Sequence, residues 1–240
     1  MLLVKDLTKK FDKVLAVDQL TFQVNSGEVA VLLGPNGAGK STTIKSIAGL
    51  LKYTGSIKIN GENNKSVNAK KIFAYIPETP ALFDMLTVEE HLEYIAHAYE
   101  VDNYKQQAEK LLTRFDLMDK RDKLGKELSK GMQQKVSICC GLLIKPKVIL
   151  FDEPMIGLDP KAIKELKKVF LELKEEGSAV LISTHIIDSI EEIWDKALIM
   201  NEGKIVLLRT RKEIEETGES LEERFFEVTE NTENTSPNIQ

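Results

Sequence analysis

The stretch GPNGAGKS, Gly34 to Ser41, has glycine, four residues, then Gly-Lys-Ser. Residues of these types at this spacing can hold phosphate. Gly34, Pro35, Asn36, Gly37, Ala38 and Gly39 allow a tight loop that turns several backbone N–H groups toward an anion. A following helix would add the positive end of its dipole. Lys40 places an ammonium against the outer phosphates, the Ser41 hydroxyl suits a hard cation such as Mg²⁺, and Thr42 adds a hydrogen bond. The loop leaves the nucleotide open, because GTPases, kinases and motor ATPases share it.

A second constellation lies in VILFDEP, where an apolar run ends on Asp152 and Glu153. Carboxylates at the end of a buried strand need a partner, because burying charge alone is costly. Beside a phosphate loop, Asp152 would hold Mg²⁺, and Glu153 would orient or deprotonate an attacking water. A third feature is YIPETPALF, residues 75–83, in which Glu78 stands between Pro77 and Pro80. Two prolines stiffen the backbone around it and predict an exposed turn.

The elements that must position these groups follow from pattern. LLVKDLTKKF and VLAVDQLTFQV predict paired antiparallel strands, and EVAVLLG a strand buried on both faces. TTIKSIAGLL predicts a helix, GSIKING a strand and turn, and FAYI another strand. Between Thr87 and about Lys145 the texture is helical. TVEEHLEYIAHAY opens with a capping box of Thr87 and Glu90, and QQAEKLLTRFDLM and GMQQKVSICCGLLI follow. Strand and helix then alternate through KVILFDE, AIKELKKVFLELKEE, SAVLIST, IDSIEEIW and KALIM, ending in a hairpin-like EGKIVLL. The division predicted is an α/β core at 1–86 and 146–208, a helical part at 87–145, a helical segment at 209–229 and a disordered tail at 230–240.

The 240 residues are 42% hydrophobic and 30% charged, with a net charge of −5, so no global basic field points to nucleic acid. No apolar run reaches the roughly 18 residues of a spanning helix, and no leader is evident, so a soluble intracellular chain is expected. Cys139 and Cys140 are adjacent, poor geometry for a disulfide, and read as buried thiols. His91 and His97 lack ligand spacing. Met118, Met132 and Met155 read as core or rim filler, Trp194 as core, and DKRDKLGK (119–126) as a solvated loop.

The order of motifs resembles the ATP-binding cassette (ABC) ATPases. LSKGMQQKV, Leu128 to Val136, is similar to the family signature LSGGQ and its helix; GLDP, Gly157 to Pro160, looks like the D-loop; STH, Ser183 to His185, looks like the switch-histidine loop. The resemblance covers about residues 1–229, and LEERFFEVTE is similar to the family's closing helix. It implies a single ABC domain: a P-loop NTPase (RecA-like) core, an N-terminal antiparallel β subdomain and an α-helical insertion. The implied cofactors are ATP and Mg²⁺. The implied assembly is a homodimer or heterodimer of two cassettes, head to tail, on an integral membrane permease subunit at the inner face of the cell membrane.

Residue by residue, the resemblance implies that Phe11 stacks on adenine, and that Ser129 and Gly131 face the γ-phosphate held by the other copy. His185 would contact that phosphate and help orient Glu153, and Asp159 would link the two sites. Glu78 occupies the place of the family's Q-loop glutamine, near Mg²⁺ and the attacking water. Lys130 and Met132 depart from the signature's first glycine and its glutamine without removing the Ser129 hydroxyl or the Gly131 backbone. The short single cassette looks like an exporter of the ABC-2 or Ecs-like kind. A soluble non-transport ABC ATPase, acting in translation or on DNA, is the alternative. A GTPase or small-molecule kinase would leave LSKGMQ, GLDP and STH unexplained.

Overall fold

The computed structural model describes residues 1–230. Strands β1 (Leu2–Phe11) and β2 (Val14–Val24) pair antiparallel, as their apolar runs with polar interruptions predict. They lead into β3 (Glu28–Leu33), the phosphate-type loop and helix α1 (Lys40–Ile47). The helix stops short of its predicted reach because Gly49 takes φ 76°, and the chain turns out at the exposed Leu50. Next come β4 (Thr54–Ile59), β5 (Glu62–Asn63), the short α2 (Val67–Lys71) and β6 (Phe73–Ile76).

Helices α3 (Val88–Ala98), α4 (Tyr104–Arg114) and α5 (Lys130–Leu143) follow and pack on one another. The capping box of α3 is present. Thr87 Oγ1 accepts from the Glu90 N–H at 3.1 Å, and Glu90 accepts from the Thr87 N–H at 2.7 Å. Strand β7 (Val148–Asp152), helix α6 (Pro160–Glu175), and strands β8 (Ala179–Thr184), β9 (Lys196–Asn201) and β10 (Lys204–Thr210) complete the sheet. The chain closes with α7 (Arg211–Glu215) and α8 (Leu221–Glu230).

Two sheets result. One has the order β2-β1-β4-β5; the other has the order β10-β9-β3-β8-β7-β6, parallel from β9 to β6, with β10 antiparallel at its edge. Strand β3 shows why both faces are covered. Val29, Val31 and Leu33 enter one core with α5 and α6, while Ala30 and Leu32 enter another with α1 and the four-stranded sheet. Phe151 of β7 meets Phe170 of α6 edge to face at 4.9 Å between ring centroids. Arg114 bridges the helical layer to α6, with Nε 2.6 Å from Glu165 and a two-pronged contact to Glu172 at 2.6 and 2.8 Å. This is a mixed α/β architecture of the P-loop NTPase kind.

Several expectations are corrected. IDSIEEIW is not a helix but a single 3₁₀ turn at Ile187–Ser189 followed by irregular turns. Ser189 Oγ bonds the Ile186 carbonyl at 2.6 Å, a local alternative to a helical ladder, and Ile190, Ile193 and Trp194 are drawn into the core. The segment at 209–229 begins as strand, since β10 runs to Thr210, and helix starts at Arg211. The tail lies outside the described residues except for Glu230, which belongs to α8. Cys139 is buried, but Cys140 is only partly so and lines a cleft. Among the described residues no helix is long and apolar enough to cross a membrane.

Candidate functional site

The loop between β3 and α1 closes on itself through its lysine. Lys40 Nζ donates to the carbonyls of Gly34 at 2.7 Å and Pro35 at 3.2 Å and lies 3.9 Å from Glu153 Oε1. Desolvation by burial holds its pKa below the usual lysine range, partly offset by the carboxylates of Glu153, Asp152 and Glu78. Gly39 is required where it stands: it takes φ 101°, and a Cβ there would sit 2.6 Å from the Ala16 carbonyl oxygen. It is also the N-cap of α1 and offers no side-chain acceptor, so the first-turn N–H groups of the helix stay open to an anion.

Register brings the acidic pair to this loop. Asp152 ends β7 opposite Ser183 of β8, and its Oδ1 accepts from Ser183 Oγ at 2.5 Å and from Ser41 Oγ at 3.2 Å. Ser183 belongs to a recognised motif, yet its bond to Asp152 is missed by reading motifs alone. The strand register that pairs the two residues was the available signal. Glu153 follows with φ 47°, a left-handed conformation that costs a non-glycine residue on the order of 1 kcal/mol. The turn aims its carboxylate inward. Oε1 lies 2.9 Å from His185 Nδ1, and Oε2 is buried with no hydrogen-bond partner.

A pocket of about 220 Å³ joins these groups, lined by Asn36, Gly37, Gly39, Lys40, Ser41, Thr42, Glu78, Glu153 and His185, with Ala16 and Ile156 as walls. Gly34 and Pro35 receive the lysine, and Ala38 is buried beneath the loop. Glu78 is exposed on its turn and faces the same pocket. The remaining predicted residues lie elsewhere. Phe11 is exposed at the end of β1, under the Lys9 ammonium 4.3 Å away, and does not line the pocket.

Ser129 N-caps α5, accepting from the Met132 N–H at 3.3 Å, and points to solvent rather than to its own chain's pocket. Gly131 packs so tightly on the loop after Glu153 that a Cβ would lie 2.5 Å from the Gly157 carbonyl oxygen. Asp159 N-caps α6 through the Ala162 N–H at 2.9 Å and pairs with Lys135 of α5 at 2.8 Å, which holds its carboxyl below the usual range. The Gly157–Asp159 stretch and the head of α5 are therefore joined twice.

A larger and mostly apolar cleft, about 480 Å³, opens between β6 and the helical layer. Leu50, Phe83, Tyr94 and Cys140 contribute to its walls, and Pro77 and Thr79 flank Glu78 on the loop that borders both cavities. His91 fixes the far end of that loop. Its Nε2 accepts from the Phe83 N–H at 2.9 Å while Nδ1 lies 2.7 Å from the Thr87 carbonyl, a pair of contacts that defines the Nδ1–H tautomer. His91 is thus structural, as its lack of ligand spacing suggests.

Residues 17–156 match the ABC transporter family model. The chain is 36% identical over 238 residues to the ABC-type transporter ATP-binding protein EcsA of Bacillus subtilis, covering 95% of this chain and 96% of that one. It is 32% identical over 222 residues to the lipopolysaccharide export system ATP-binding protein LptB of Haemophilus influenzae, covering 89% and 92%. A solved structure of an ATP-binding subunit of an ABC transporter superposes with a TM-score of 0.90 at 39% identity, covering 95% of this chain and 99% of that chain.

Proposed function

The chain belongs to the ABC transporter family, as an ATP-binding subunit, and from that premise we propose that residues 1–229 work as one ATPase domain that drives export through a separate integral membrane partner. The observation that carries this reading is the convergence of Lys40, Glu153 and His185 on the pocket, with Glu153 Oε2 buried and unpaired. A buried carboxylate oxygen lacking a donor fits a site built to take a water.

Phosphate fits the loop, because its oxygens can replace the carbonyls that now hold Lys40 and can meet the open N–H groups of α1. Ser41 and Asp152 are hard oxygen donors suited to Mg²⁺, with phosphate and water completing the coordination. Bound there, the cation would neutralise charge on the transferred phosphoryl group. Asp152 keeps its orientation through Ser183. Glu153 accepts a proton from water as the water oxygen bonds to the γ-phosphorus and the bridging bond to ADP breaks. His185 holds Glu153 through its Nδ1–H and contacts the γ-phosphate. Glu78 lines the same pocket.

Ser129 is exposed and Gly131 half-buried at the head of α5, both outside their own pocket, which suits an anion site completed by a second cassette. The second cassette is a copy of this chain or a related subunit, with Asp159 at the junction and Phe11 available to stack on adenine. The apolar cleft, with Leu50, Phe83 and Tyr94 exposed around it, suits an apolar helix of the membrane partner. Such docking would hold the chain at the inner face of the membrane. Similarity to an export-system subunit supports the export direction. The test is purification of the chain from its native membrane after mild solubilisation. An integral membrane protein is expected to co-purify and to stimulate ATP hydrolysis; co-purification with ribosomes or DNA instead would defeat the transport reading.

A further inference from the structure

The hydroxyl of Tyr75 is buried and has no hydrogen-bond partner. Phenylalanine would fill the same space without burying a polar atom, so the hydroxyl needs a reason. Tyr75 lies on β6 opposite Leu150, two residues before Asp152, and packs on the core shared with α1. Tyr75 lines the apolar cleft, as does Lys45, which stands one turn beyond Ser41 on α1. The carboxylates of Asp152 and Glu78 both act on the hydroxyl electrostatically.

These two carboxylates are not equivalent acceptors. Asp152 already takes two hydroxyl donors, Ser41 and Ser183. Glu78 forms no hydrogen bond or ion pair among the described residues, although it faces the nucleotide pocket. The site therefore contains a buried donor without an acceptor and, three residues along the chain, a carboxylate without a donor.

We propose that Tyr75 is the positioning residue for Glu78, its phenolic O–H donating to the Glu78 carboxylate when the loop closes over bound nucleotide. The bond fixes the direction in which that carboxylate faces. This rests on the pocket being an ATP site and adds to it a residue that the loop and signature motifs do not include. Tyr75 lines the cleft and Glu78 lines the nucleotide pocket, so the bond would join the walls of the two cavities.

The test is Tyr75→Phe in the full chain. Its kcat should fall roughly tenfold, as for a lost hydrogen bond to a charged group. The Mg²⁺ concentration for half-maximal rate should rise, while the Kd for ATP measured in EDTA and the melting temperature hold or improve. In a Glu78→Ala background the same substitution should have no further effect on kcat. Unchanged kcat and Mg²⁺ dependence, or effects that multiply with those of Glu78→Ala, would overturn the assignment. Wild-type protein that fails to hydrolyse ATP would instead defeat the ATPase reading itself.

Discussion

His185 Nδ1 lies 2.9 Å from Glu153 Oε1, and the other oxygen of that carboxylate is buried without a partner. The imidazole therefore fixes one oxygen and leaves the second as the only free acceptor of the group. Glu153→Gln should lower turnover by about 10² to 10⁴ while ATP still binds, since only proton acceptance is lost. His185→Ala should also lower kcat, and the double variant should be little worse than Glu153→Gln alone. Single-turnover hydrolysis beside equilibrium nucleotide binding checks both statements.

Glu78→Gln replaces a carboxylate by a neutral amide on an exposed turn facing the pocket. The Mg²⁺ concentration for half-maximal hydrolysis should rise, because a carboxylate binds the cation better than an amide does. An unchanged ATPase rate, Mg²⁺ requirement and response to the membrane partner would remove any special role for the acid.

Lys40 supplies a pH dependence whose sign follows from its surroundings. Burial lowers its pKa from the ordinary 10.5, and bound phosphate, being anionic, would raise it again. Nucleotide binding should then take up protons at alkaline pH, and affinity should fall as the pH climbs through the pKa of the free state, before 10.5 is reached. The same group destabilises the nucleotide-free fold while it is charged, a cost relieved as pH rises in that window. Calorimetric titration of ATP in buffers of different ionisation enthalpy measures the uptake.

Gly131→Ala would press a methyl group to 2.5 Å from the Gly157 carbonyl oxygen, which is backbone and has little room to yield. A stability loss of about 1–3 kcal/mol is expected from such overpacking. The head of α5 should also shift, weakening ATP-dependent dimerisation more than nucleotide binding by the single chain. Thermal melting and sedimentation with ATP in the Glu153→Gln background separate the two effects.

Local chemistry made much of the fold legible. The apolar runs with polar interruptions of β1 and β2, the unbroken apolar run of β3, the Thr87 capping box and the glycine-lysine loop each state their structure within a dozen residues. What was not legible depends on partners distant in sequence. The positive φ of Glu153 and its empty Oε2 follow from the meeting of β7 with β8 and α1. IDSIEEIW carries helical spacing, yet the core takes its isoleucines in irregular turns. Phe11, Ser129, Gly131 and Asp159 lie off the pocket lining, so motif order alone does not say which residues one chain brings together. The Tyr75 hydroxyl leaves no trace in a pattern that treats the ring only as apolar.

The His91 bond to the Phe83 N–H has a mechanical consequence. From Ile76, tied into the sheet, to Phe83, tied to His91, the chain is a strap pinned at both ends and stiffened by Pro77 and Pro80. Slack in so short a strap is small. A displacement applied at the cleft side is passed along rather than taken up by local bending, and Glu78 near its middle marks where the push arrives.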